Sequence, residues 1–176
     1  MGGKTLGLVL LLGISAMAQG TLDPGLLQIP LPALPFQGLK PDCAPTTSPE
    51  VGWKSPPEGT KSIAVAMYDP GTISGKWHWL IYNIPPKVQK LVAGAGDPTR
   101  QLAPLGSVQG RSDFGNLGYR GPCLPKGSKP RPYIIVVYAL KVERLDIPAD
   151  ASAASVGAQL SANALARSDI TVYFTP

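Results

Sequence analysis

Four stretches of the chain concentrate the β-branched and aromatic residues that fit a pleated, half-buried surface. They are 62–68, 77–84, 133–142 and 170–174, and Gly, Pro or Asp bounds each one. The run IIVVYAL at 134–140 is apolar without alternation, which predicts a strand covered on both faces inside a sheet. Turn-dense loops separate the strands, notably 69–76 and 106–132. One helix is expected, over 151–166. There Asp150 is positioned as a cap and Val156, Leu160 and Leu165 share an apolar face.

The chain's first residues follow a different pattern. One Lys precedes an apolar run over 6–14, and Ala16-Met17-Ala18 then offers the small residues of a cleavage site, so 1–18 reads as a signal peptide. An uncleaved anchor is the rival reading, but the run falls short of the ~20 residues a spanning helix needs. Residues 19–45 hold Pro24, Pro30, Pro32, Pro35 and Pro41 and end on Pro45, which excludes a regular helix and predicts extended, polyproline-like chain. The remainder, 46–176, is expected to be one domain. The protein is thus expected to be exported, periplasmic or secreted.

Composition agrees with a β-rich, loop-rich domain: 20 glycines, 20 prolines and only 15% charged residues. The formal charge of +5 falls to +4 once Lys4 leaves with the leader. Lys and Arg are dispersed and do not interleave with aromatics, so no nucleic-acid partner is expected. Weak contact with an anionic membrane surface stays open. Cys43 and Cys123 in an exported chain imply one disulfide closing a loop of about 80 residues, with a free thiol pair or a catalytic cysteine as alternatives.

Candidate chemistry is sparse. His78 is the single histidine, so a His-based metal cluster is impossible and no metal or cofactor is expected. On its own it reads first as a hydrogen-bonded structural residue. Asp113-Phe114-Gly115 matches a kinase metal-binding triplet, but no phosphate loop or catalytic loop accompanies it. The stretch GRSDFGNLGYRGPCLPKG at 110–127 is the most unusual, with five glycines and two prolines. Either its glycines admit a ligand close to the backbone, or they serve a tight connection with no ligand.

Several motifs recur in one order: Ser48-Pro49 with Trp53, PPEGTKSIAVAMYDP at 56–70, His78-Trp79 leading into YNIPP, the 110–127 stretch, and YIIVVYAL at 133–140. In these the chain resembles the phosphatidylethanolamine-binding protein family, in its bacterial Raf-kinase-inhibitor-like branch, over 46–174. The resemblance implies a mainly β fold of two antiparallel sheets with peripheral helices. It also implies a small anion pocket for phosphate-like or phospholipid head groups, and in some members inhibition of a kinase or protease through surface loops.

Carried over by position, the pocket would involve Asp69, His78, Gly121, Pro122, Pro125, Gly127 and Tyr133. Asp69 is expected to orient His78 and keep it partly protonated, so that the imidazolium and the turn amides attract an anion. The chain departs from the family at Gly71, where a second Asp is usual, and at Leu124, where a proline is usual. It departs again at Arg131, which stands where a second histidine is expected; it would either supply a permanent cation or, between Pro130 and Pro132, point to solvent and leave the pocket short of one ligand. The functional expectation is an exported, non-enzymatic binding protein with a small-anion pocket. A protein partner reached through the surface loops is the alternative.

Overall fold

The computed structural model describes residues 47–72 and 75–174. The expectations placed on 1–18, 19–45 and Cys43 lie outside these residues. Five strands form one antiparallel sheet: β2 (Ser62–Asp69), β3 (Lys76–Ile84), β5 (Val108–Gln109), β6 (Arg131–Leu140) and β7 (Ala164–Phe174), in the order β5-β3-β2-β6-β7. A second, two-stranded sheet pairs β1 (Val51–Gly52) with β4 (Lys90–Leu91). One helix, α1 (Ala153–Asn163), lies between β6 and β7 in the chain.

The large sheet is covered on both faces because its inner strands alternate two sets of apolar side chains. Ile63, Val65, Met67, Trp79, Ile81, Ile135 and Val137 point to one side, where Val51, Trp53 and Leu91 of the small sheet's region join them. Ala64, Ala66, Leu80, Tyr82, Val136, Tyr138 and Leu140 point to the other, under Val156 and Leu160 of α1. The unbroken apolar run of β6 is therefore that of an inner strand, flanked by β2 and β7, as its pattern predicts.

Two boundaries differ from expectation. The helix starts later and ends earlier than 151–166. Ser152, in extended conformation, caps it by accepting from the Ser155 amide at 3.2 Å, so Asp150 does not take that role. Ala164 onward belongs to β7, where Leu140↔Ala164 and Ala139↔Ala166 continue the ladder with β6, and the last strand begins six residues before 170. Leu165 consequently leaves the helix face and is exposed on β7.

Candidate functional site

The site region is built at one end of the sheet, where β2 finishes, β3 begins and β6 begins. The register Tyr68↔Ile134 brings Asp69 alongside the first residues of β6. Between β2 and β3 the register passes from Met67↔Trp79 to Tyr68↔Trp77, so His78 is the extra residue of a bulge. Released from the ladder, it is clamped by Arg120: the Arg120 amide donates to the His78 carbonyl at 2.8 Å, and His78 Nδ1 bonds the Arg120 carbonyl at 2.7 Å.

This corrects the expectation for Asp69 and His78. Asp69 Oδ1 accepts the Gly71 amide at 2.7 Å, and Oδ2 accepts from Arg131 Nη1 at 3.1 Å. The carboxylate thus orients Arg131, and a backbone carbonyl orients the imidazole. Burial is the main influence on His78 and lowers its pKa below the usual value; the Arg120 carbonyl and the Asp69 charge oppose it only in part. A neutral ring that donates from Nδ1 keeps its Nε2 as an acceptor. The partly protonated imidazolium expected from sequence is therefore replaced by a neutral ring, packed edge-on to Tyr133 and tilted against Phe114.

Tyr133 is buried beside the same ion pair. Desolvation first, then the Asp69 charge, push its hydroxyl up to about 12, while Arg131 works in the opposite direction. Its phenol stays protonated at ordinary pH. Asp69 is 3% exposed and Tyr133 1%, so both lie behind the surface. Arg131 differs: its side chain is 42% exposed while its partner carboxylate is 4% exposed, so it joins the buried cluster to solvent.

In front of Arg131 lies an open cleft of about 350 Å³, lined by Gly71, Leu124, Pro125, Lys129 and Arg131, with Cys123, Ser128, Pro130 and Pro132 beside them. Of the residues expected at the pocket, Pro125 and Arg131 line this cleft. Asp69, His78 and Tyr133 do not, Gly121 and Pro122 are buried, and Gly127 occupies the tip of the turn at φ +82°. Two of the departures from the family pattern, Gly71 and Leu124, also line it. Lys129 and Ser128 are lining residues that the sequence reading did not single out; their position in the Pro-bounded turn was the available signal.

Two of the glycines of 110–127, Gly110 and Gly118, serve chain packing. A Cβ on Gly118, whose φ is +78°, would stand 2.1 Å from the Gly96 carbonyl oxygen, and one on Gly110 would stand 2.9 Å from Leu80 Cβ. Asp113, in the kinase-like triplet, accepts the Trp77 amide through its carboxylate at 2.8 Å and donates its own amide to the Trp77 carbonyl at 3.0 Å. The triplet is a structural clamp on the start of β3. Among the described residues, no three His, Cys, Asp or Glu side chains gather as a metal ion would need, and no helix is long and apolar enough to cross a membrane.

Comparison with known proteins agrees with this architecture. The phosphatidylethanolamine-binding protein family profile matches residues 29–175. The chain belongs to that family. It is 48% identical to the UPF0098 protein YbcL of Escherichia coli K12 over 127 residues, covering 71% of this chain and 69% of that one. It is 42% identical to YbhB of the same organism over 130 residues, covering 73% and 81%. The crystal structure of E. coli YbcL superposes with a TM-score of 0.71 at 45% identity, covering 76% of this chain and 82% of that one. The fold is thus that of phosphatidylethanolamine-binding proteins, mainly β with two antiparallel sheets.

Proposed function

We propose that this member of the family is an exported, non-enzymatic binding protein whose cleft takes a small phosphate-like anion, free or as the head group of a phospholipid. The observation that carries the reading is the position of Arg131. Its guanidinium is fixed from behind by Asp69 and reaches the cleft wall half-exposed, on a chain segment stiffened by its neighbours Pro130 and Pro132, with Pro125 also in the lining. A pre-oriented planar fork of donors suits an oxyanion, and Lys129 adds a second cation at the rim. Export rests on the leader-like residues 1–18.

Thermal unfolding with increasing inorganic phosphate tests the reading. A ligand at 100 times its dissociation constant stabilises the native state by about 2.7 kcal/mol. That gain should vanish in Arg131→Ala. Absence of any stabilisation in the native protein would remove the anion reading.

A second reading, inhibition of a kinase or protease through surface loops, is favoured by Phe114 and Leu117. Both are about half exposed, on a loop whose backbone is tied by Ser112, Asn116 and Trp77. Apolar side chains held outward on a braced loop fit a protein contact. A partner captured from the exported compartment should be lost with Phe114→Ala and kept with Arg131→Ala if this reading is right.

A further inference from the structure

Among the described residues, β7 is the outermost strand of the large sheet at the side opposite β5, and it is 11 residues long. The Lys61 amide donates to the Leu140 carbonyl at 2.8 Å, so Leu140 turns its backbone groups toward β2. These groups alternate in direction along a strand, and the odd-numbered residues of β6 therefore face β7. The register from Ala139↔Ala166 to Tyr133↔Val172 then turns the even-numbered residues of β7 inward. The N–H and C=O groups of Arg167, Asp169, Thr171 and Tyr173 consequently point outward. Two charged side chains guard the first half of this edge, but residues 170–174 carry no charge and Tyr173 is 65% exposed. Such an edge is a template for another strand.

The chain itself carries a segment with the complementary pattern. Residues 28–34 read Gln-Ile-Pro-Leu-Pro-Ala-Leu, with Pro30 and Pro32 two apart. On a strand Ile29, Leu31 and Ala33 present complete backbone groups to one side, and both prolines fall on the other, where no donor is required. That phase suits a strand bonded on one side alone. The two missing donors also stop a further strand from adding to it. Pro35 has the phase of the pairing side and ends the pattern. The family profile begins at residue 29, which groups these residues with the domain and separates them from the leader-like 1–18. About 13 residues lie between Leu34 and Thr47, where the described structure begins. They span up to about 40 Å, the width of a domain of this size.

We propose that residues 29–33 add to the outer edge of β7 as a sixth strand of the large sheet, pairing through Ile29, Leu31 and Ala33 and leaving Pro30 and Pro32 as its blocked rim. The interaction surface is the 167–173 edge. Its occupant is the protein's own early segment, in place of a second copy of the chain.

Amide hydrogen exchange of the full protein, followed by NMR, tests this. In the native protein the amides of Asp169, Thr171 and Tyr173 should exchange at least about tenfold more slowly than in Leu31→Pro, which removes the central donor on the pairing side. Gln28→Pro adds a proline on the rim side and should leave them slow. The amides of Val136 and Tyr138, which face β2, should stay slow throughout and show that the fold is intact. Fast exchange of the three outer amides in the native protein overturns the proposal, whatever the variants do. So does slow exchange that Leu31→Pro leaves unchanged. Equal release by Gln28→Pro and Leu31→Pro would deny the strand phase and overturn it too. Protection that grows with protein concentration and survives Leu31→Pro would put a second copy on the edge instead.

Discussion

A Cβ on Gly157 would stand 2.6 Å from Cζ2 of Trp77. The helix therefore lies on the indole through a position with no side chain, and this sets how closely α1 approaches the start of β3. Gly157→Ala has two opposed effects. Replacing a helical glycine gains up to about 1 kcal/mol in propensity, while forcing a methyl into a packed contact costs about 1–3 kcal/mol. The ring is broad and tied into β3, so overpacking should win. Chemical denaturation should show a net loss of about 1–2 kcal/mol, and a gain would mean that the helix shifts freely over Trp77.

Leu160, on the same helix, is fully buried against the apolar side of the sheet. Leu160→Ala should lower stability by about 2–5 kcal/mol, the range for truncating a core leucine. An unchanged melting temperature would contradict the role of α1 as the cover of that face.

These two residues also show what the sequence could reveal. The strands β2, β3 and β6 were readable as nearly continuous runs of strand-forming residues because their side chains face two separate cores. The helix end was not, because Ala162, Ala164 and Ala166 favour a helix locally while the ladder to Leu140 and Ala139 draws the last two into β7. Strands of two residues, such as β1, β4 and β5, are too short to carry a period. In the site, Asp69, His78 and Arg131 were all legible as candidates, yet their pairing was not. The partner of the imidazole is the backbone carbonyl of Arg120, 42 residues away, and a carbonyl has no residue signature.

The neutral state of His78 makes stability depend on pH. Its folded pKa lies below the ordinary 6.5, so between the two values the unfolded chain binds a proton that the folded protein refuses. Stability from this group is thus complete above the unfolded value and declines as pH falls below about 6.5, levelling off under the folded pKa. Melting temperatures from pH 8 to pH 5 should fall in the native protein. The fall should be smaller in His78→Asn, which keeps a donor for the Arg120 carbonyl and cannot charge. Parallel profiles would rule out His78 as the titrating group.

Cys123 is exposed on the wall of the cleft, in the turn that follows the Arg120 clamp. We expect it to be bridged to Cys43 if the protein matures outside the reducing cytosol. Chain-entropy arguments set the stabilisation at about 4.5 kcal/mol at most for a loop of this length. Intact-mass measurement under non-reducing conditions should show two hydrogens fewer than the reduced chain. Two free thiols in protein taken from its native compartment would contradict the bridge.

The last prediction separates the structural role of Arg131 from its proposed role in binding. Arg131→Ala leaves the Asp69 carboxylate buried with, among the described residues, the Gly71 amide as the remaining hydrogen-bond donor on its two oxygens. Removing one partner of a fully buried ion pair costs about 3–5 kcal/mol, because the surviving charge stays desolvated. Arg131 is half exposed, so water enters behind the truncated side chain and the cost should be nearer 1–3 kcal/mol, the penalty for an under-satisfied polar group. Asp69→Asn in the Arg131→Ala background removes that orphaned charge and should recover much of the loss. Denaturation of the native protein, the two single variants and the double variant gives the coupling directly. A double variant no more stable than Arg131→Ala would mean that the carboxylate is relieved by other means, and that the pair contributes to the site without supporting the fold.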